Sequence, residues 1–350
     1  MTSLSPKMTL IFPVYNVELY LRQCLDSVIN QTMREIQIIC VNDGSTDGSR
    51  TILQEYANRD SRLEIIDQEN QGAGSARNAG IPYIKGKYVY FADPDDWMES
   101  TLCEKTYGIL EETEADAVMI NNTKGGEILK FYMYNSSLPR IRFSPDEKRD
   151  LLSKSQAPWR KVWNSQFLIN NRVFFCKTNH PTNDLVQNWR GIGQAKKIVV
   201  LDEILYHYSV RPNSYQQNHD SSHFYICKRM ADLLHFLKEG RHYPFYRDIY
   251  HDLKLTLFFK KYNKFSNKLQ QEFKELIRAS LTDEDREFLR SEAGEMLPKK
   301  TRLFYEMIDG GILRTIKYHF RGKITSIIKA PEQIIRHAII KPLKKRLKAA

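Results

Sequence analysis

Over the first 120 positions, apolar and polar residues come in alternating blocks. Short apolar or β-branched runs occupy 8–12 (MTLIF), 36–41 (IQIICV), 63–67 (LEIID), 87–91 (KYVYF) and 116–120 (DAVMI), each the length of a strand. Between them apolar positions recur every three or four residues, as Leu21, Leu25, Val28 and Ile29 do. That spacing predicts helices over 17–30, 49–58, 75–84 and 102–112. Strands alternating with helices of this length build a parallel sheet from βα units. The rhythm weakens over 122–155, which reads as an insertion. A strand signal returns at 196–210 (KKIVVLDEILYHYSV) and could complete the sheet, and from 221 to about 310 the period is helical.

Polar chemistry collects where these strands end. PVYN (13–16), NDGSTDGS (42–49), QENQGAGSARN (68–78) and DPDD (93–96) each follow a strand, so all four fall on the carboxyl edge of the sheet, where open α/β sheets bind ligands. Asn42 and Asp43 sit at a strand end facing that edge, and a carboxylate there can accept from an imide N–H or a ribose hydroxyl. Thr46 and Asp47 read as helix-start residues. In GAGSAR, Arg77 stands where a dinucleotide fingerprint needs its third glycine, and the loop follows the third strand instead of the first. Nicotinamide binding is therefore excluded, and Arg77 is left as a fixed cation for a nucleotide. The chain has no P-loop.

The DPDD segment has the donor chemistry of a hard-cation site. Asp93 and Asp95, spaced by Pro94, can turn two carboxylates toward one Mg²⁺ or Mn²⁺. Asp96 is expected to cap a helix starting near Trp97. Three carboxylates in four positions repel one another, so the loop is expected to be strained or mobile without a cation and ligand.

Composition narrows the class. The chain is 41% hydrophobic and 27% charged, has a mean hydropathy of −0.52, and carries no apolar run long enough to span a bilayer. Five scattered cysteines form no C-x-x-C pair, which suits a reducing cytoplasm and suggests neither disulfides nor zinc. The net charge of +11 is concentrated in one place. Eleven Lys or Arg against one Glu between Arg314 and Lys348 supply +10 of it. Apolar residues recur there at helical spacing between the cations, the pattern of a segment that lies on an anionic membrane surface. No aromatic platform accompanies the charge, so nucleic acid is not the expected partner.

Taken together, LIFPVYNVELYLRQCLDSVINQT, IICVNDGSTDGS, NQGAGSARNAGI and GKYVYFADPDDW resemble the nucleotide-sugar-binding half of family 2 glycosyltransferases, in register over 8–121. A weaker resemblance runs through KVWNSQFLINNRVFF and AKKIVVLDEILYHYSVRPNS to about 214. The resemblance implies an α/β GT-A fold, Rossmann-like, with a mostly parallel sheet flanked by helices and a helical C-terminal region. Domain boundaries are expected at 1–215 for the GT-A domain (1–121 for nucleotide sugar and metal, 122–215 for acceptor), 216–310 for a helical appendage and 311–350 for the basic tail.

The same resemblance implies roles. Pro13, Val14 and Tyr15 would frame the base, Asp43 would read its polar edge, and Arg77 would lie near the nucleotide. Asp93 would reach the ribose, and Asp95, with Asp93, would hold Mn²⁺ or Mg²⁺. Arg211, in RPNS, would meet the diphosphate of a UDP-type donor. In the family's Glu-Asp pair the Asp is the base. Here the pair reads Asn183-Asp184, which leaves Asp184 as the base, with His180 a lesser alternative. The implied activity is inverting transfer of single sugars to a glycan or lipid-linked acceptor, as in surface polysaccharide or lipopolysaccharide synthesis, at the inner face of the cell membrane. QNWRG (187–191) has the wrong order for a processive synthase. Two rivals stay open: a protein that binds nucleotide sugar without transferring it, and a nucleotidyltransferase on a related sheet.

Overall fold

The computed structural model describes residues 5–129, 140–142, 151–152, 157–176, 183–210 and 221–308. Internal contacts divide the chain into two units, Met1–Ile249 and Tyr250–Ala350. Arg211, His180 and the basic stretch 314–348 lie outside the described residues, as does the side chain of Asn183.

The first unit is built on one sheet. Its strands are β1 (Met8–Val14), β2 (Ile36–Asp43), β3 (Leu63–Gln68), β4 (Tyr88–Phe91), β5 (Trp97–Met98), β6 (Ala117–Lys124), β7 (Glu127–Leu129), β8 (Arg140–Arg142), β9 (Lys161–Asn164) and β10 (Ile198–Tyr208). The order is β3-β2-β1-β4-β9-β6-β10-β5, with β7 on β6 and β8 on β10. Pairing is parallel across β3-β2-β1-β4, as the βα pattern predicts. Beyond β4 it turns mixed. β9 runs antiparallel between β4 and β6, while β6 and β10 pair in parallel.

Helices α1 (Glu18–Ile29), α2 (Ser49–Arg59), α3 (Ala73–Gly80) and α4 (Leu102–Thr113) follow the predicted spans closely. α3 gives way at Gly80 to a single 3₁₀ turn, Ile81–Tyr83, because Pro82 has no N–H to continue the ladder. Met8, Leu10, Phe12 and Val14 pack with Leu21, Leu25 and Val28 of α1, Leu53 of α2 and Leu110 of α4 in one core. Ile11 points to the opposite face, where a Cβ on Gly80 would stand 2.9 Å from it. With both faces covered, β1 and β2 are buried along their whole length, as central parallel strands are.

The rest of this unit comprises α5 (Ser165–Asn170), α6 (Asn183–Gln194), α7 (Tyr225–Glu239) and the start of α8 (Tyr243–Tyr262). α6 lies against β9 so closely that a Cβ on Gly191 would stand 2.2 Å from the Trp163 ring.

The second unit is helical: the remainder of α8, then α9 (Asn267–Ser280), α10 (Asp283–Arg290), α11 (Glu292–Glu295) and α12 (Lys299–Ile308). Leu255, Phe258, Phe273, Ile277, Phe288 and Tyr305 are buried there. Thr282 and Asp285 form a reciprocal capping box at the start of α10. Asp285, fully buried, also bonds His251 Nδ1 at 2.7 Å and Lys254 Nζ at 2.5 Å. Among the described residues, no helix is long and apolar enough to cross a membrane.

Candidate active site

The carboxyl ends of β1, β2 and β4 and the loop into α3 bring the motif residues to one edge. At the end of β1, Pro13 is buried and the Val14 side chain belongs to the hydrophobic core, whereas Tyr15 projects, 46% exposed. Val14 can therefore frame a ligand only through its backbone. After β2 the chain reverses at Gly44, whose φ of +71° suits glycine, and a Cβ there would meet Asn70 N at 2.9 Å. Asn42 Nδ2 donates to Asp67 at 2.7 Å, and its Oδ1 accepts from Ser45 N.

Asp43, 1% exposed, organises the next loop. Its Oδ1 accepts from Gln68 Nε2 (2.6 Å) and Gln71 N (2.9 Å), and its Oδ2 accepts from Gly72 N (2.7 Å). A carboxylate offers about four acceptor positions, so roughly one remains for a ligand. Asp47 accepts from the backbone N–H groups of Ser49 and Glu18, at the starts of two helices. That bears out its helix-start reading.

Arg77, on α3, is buried, pairs with Asp93 Oδ1 through Nη2 and lies 5.1 Å from the Phe175 ring centroid. Its Nε is buried without a hydrogen-bond partner. Asn78, next in the helix, holds Phe175 by two bonds: Nδ2 donates to Phe175 O (2.9 Å) and Oδ1 accepts from Phe175 N (3.0 Å).

The DPDD loop departs from the sequence reading in two ways. Trp97 and Met98 form the short strand β5, antiparallel to β10, so Asp96 caps no helix. Its carboxylate is buried and bonded instead to Tyr206 Oη (2.7 Å) and Ser209 N (2.8 Å). The loop is also braced. Asp93 N donates to Tyr206 Oη (3.1 Å), Asp96 N to Asp93 O (3.3 Å), and Cys24 Sγ to Asp93 O (3.7 Å). No residue from 92 to 97 has a positive φ.

The chain's own groups relieve the repulsion expected among the three carboxylates. Arg77 sets a cation on Asp93. Burial first, and then the charges of Asp93 and Asp95, push the Asp96 carboxyl up to about 9, which leaves it neutral at ordinary pH. Carboxylate oxygens of Asp93, Asp95 and Asp96 lie within 4.8 Å of one another.

Asp184 stands in the first turn of α6, half-buried. Burial raises its carboxyl. Arg77 opposes this most strongly, Asp93 adds to it, and Lys161 opposes it too. Asp184 thus shares the electrostatic neighbourhood of Arg77 and Asp93, though it lies about 90 residues further along the chain. Sequence reading missed Tyr206, Phe175 and Lys161. Their motifs are ordinary strand and loop segments, and only long-range pairing brings them to the site. Trp97 stacks on His207 with centroids 3.6 Å apart, and His207 is fixed between Glu99 (2.6 Å) and Thr123 (2.9 Å).

Comparison with known proteins matches this arrangement to a family. The model of "Glycosyl transferase family 2" matches residues 9–169. The glycosyltransferase GlyG of Streptococcus pneumoniae is 30% identical over 225 residues, 60% of this chain and 73% of GlyG. GlyA of the same organism is 34% identical over 219 residues, 59% of this chain and only 31% of GlyA, so the chain spans about a third of that relative. Among solved structures, S. aureus TarS 1–349 in complex with UDP-GlcNAc superimposes with a TM-score of 0.69 at 20% identity, covering 90% of this chain and 91% of that one. That likeness shows a shared GT-A fold. With the family model over its first half and GlyG along most of its length, the chain belongs to glycosyl transferase family 2.

Proposed function

We propose that this chain is a metal-dependent inverting glycosyltransferase that moves one sugar from a nucleoside diphosphate sugar to a glycan or lipid-linked acceptor. The observation that carries the reading is the shared neighbourhood of Arg77, Asp93 and Asp184 beside the Asp93-Asp95-Asp96 cluster. TarS is seen with UDP-GlcNAc, which supports a UDP-sugar as donor. Tyr15 offers an exposed ring to the base. Asp43 keeps one acceptor position for the base's N–H, and Arg77 faces the nucleotide. Arg211, outside the described residues, joins them by its motif.

Asp93 and Asp95 offer hard oxygen donors at the spacing a divalent ion needs, so the residues fit Mn²⁺ or Mg²⁺. Asp96, protonated and bonded to Tyr206 and Ser209, is a poor third ligand. The ion would neutralise the charge of the departing diphosphate. Asp184 takes the proton of the acceptor hydroxyl, and burial makes its carboxylate a stronger base. The freed oxygen then bonds to the anomeric carbon opposite the leaving diphosphate, and the configuration inverts. The basic stretch 314–348 supports an acceptor presented at an anionic membrane surface, as surface-polymer intermediates are.

Asn183, where the family carries Glu, favours a second reading: donor binding without transfer. Two measurements decide. A thermal-shift screen against nucleotide sugars, with and without Mn²⁺, tests the donor site, and stabilisation by no member would sink it. Product analysis with Asp184→Asn then tests the base. Loss of transfer with donor binding retained is expected, and unchanged transfer would remove Asp184 from the mechanism.

A further inference from the structure

We infer that Phe175 is a positioning residue for the Arg77–Asp93 pair: its ring aims the guanidinium, and the Asn78 amide fixes the ring. The inference rests on the reading of Arg77 as a nucleotide-facing cation, and it names the group that sets that cation's bearing.

Every link is a direct contact. Asn78, beside Arg77 on α3, donates through Nδ2 to Phe175 O at 2.9 Å and accepts at Oδ1 from Phe175 N at 3.0 Å. Both backbone groups of Phe175 are held in this way, and the direction of its side chain with them. The buried ring then meets two neighbours. Its centroid lies 5.1 Å from the Arg77 guanidinium carbon and 4.9 Å from the Phe91 ring, edge to face at 80°. Phe91 is the last residue of β4, two positions before Asp93. Phe175 therefore packs against both the arginine and the strand end that carries its carboxylate partner.

The chemistry explains why an aromatic ring stands there. An arginine side chain has many rotamers, and a carboxylate on one amino group fixes only one end of its fork. Nη2 pairs with Asp93, whereas Nε is buried with no hydrogen-bond partner. On the Nε side a contact of another kind must hold the guanidinium, and the Phe175 ring is that contact. A ring face attracts the cation without using any of its five N–H donors. The arginine is thus held in place with donors left over for a nucleotide.

The test is a double-mutant cycle on UDP binding, read by isothermal titration calorimetry of the full-length chain in Mn²⁺ buffer. Phe175→Leu keeps an apolar side chain and removes the ring face. It should raise the dissociation constant about ten-fold, the scale of a desolvated cation–π contact. Arg77→Met should raise it at least as much. In the Arg77→Met background, Phe175→Leu should then change it by less than about two-fold, because the ring acts through the arginine. Asn78→Ala frees the Phe175 backbone and keeps every ring. It should reproduce both results, and it carries the test if the leucine variant does not fold. Equal losses in the two backgrounds would make Phe175 ordinary packing and overturn the inference. If Arg77→Met weakens UDP binding but folded Phe175→Leu does not, the nucleotide reading of Arg77 stands and this inference falls. If Arg77→Met binds UDP as the parent does, both fall.

Discussion

Tyr206 is the hub on which the acidic loop hangs, and Tyr206→Phe isolates its hydroxyl. The ring is fully buried, stacked on Trp159 at 4.6 Å and edge-on to Tyr90 at 6.3 Å, and phenylalanine can keep both contacts. Two hydrogen bonds are lost: the one accepted from Asp93 N at 3.1 Å and the one donated to Asp96 Oδ2 at 2.7 Å. A buried polar group left without a partner costs about 1–3 kcal/mol, so the loss should total about 2–4 kcal/mol. For a unit the size of Met1–Ile249, each kcal/mol lowers Tm by about 2–4 °C. Differential scanning calorimetry should therefore find a fall of about 5–15 °C in the transition of that unit.

The functional consequence follows from which residues are released. Asp93 and Asp95 sit in the loop that Tyr206 braces, so the Mn²⁺ midpoint and the donor KM should each rise about ten-fold, equivalent to about 1.4 kcal/mol. An isothermal metal titration and steady-state transfer would read both. If Tm falls but both midpoints hold, the hydroxyl stabilises the sheet without shaping the site. If neither changes, the reasoning fails outright.

Three further outcomes are expected. Asp96 has its carboxyl raised to about 9 chiefly by burial, so the folded state gains stability by holding a proton that the unfolded chain gives up near pH 4. That gain is complete below pH 4 and is lost as pH rises through about 9. In metal-free buffer the Tm advantage of Asp96→Asn over the parent should therefore grow from pH 6 to pH 9, and a constant offset would refute the protonated state. In the helical unit, Asp285 is held at about 2 by His251 and Lys254 against the opposing effect of burial. Its stabilisation, about 2 kcal/mol, is present above pH 4 and lost as pH falls through about 2. Asp285→Ala should cost about 3–5 kcal/mol at pH 7 in urea denaturation by stranding Lys254, and the difference should shrink at pH 3; an equal loss at both would be contrary. Finally, a chain ending at 310 should lose salt-sensitive sedimentation with phosphatidylserine vesicles, at about 1 kcal/mol per well-placed cation. Equal pelleting of the two chains would remove the tail from membrane binding.

The first half of the fold was legible because each βα unit writes its periodicity locally. Apolar runs and 3.6-residue spacing lie next to the loops they position, so the edge carrying Asp43, Arg77 and Asp93 could be read in advance. The second half was legible only in part. The strand signal at 196–210 became β10 and the period after 221 became helices. The strand order was not legible, because the sheet is assembled from a distance. β9 is four residues long, and what makes it a strand is the slot between β4 and β6. Asp96 misled for the same reason. An acid before Trp97 resembles a helix cap until a two-residue strand pairs with Tyr206 and His207, more than a hundred positions later. Tyr206 and Lys161 carry no motif of their own, and their importance comes from which groups burial sets beside them.

The clasp between Asn78 and Phe175 carries a consequence for engineering. One asparagine amide bonds both the N–H and the C=O of a residue 97 positions away, doing for Phe175 what a neighbouring strand would do. The ring so held lies over Arg77, which means that this arginine takes its bearing from a residue far along the chain. Halves exchanged between relatives would inherit a mismatched pair at this seam. A working chimera should carry positions 78 and 175 from the same parent, with the crossover falling outside the stretch they enclose.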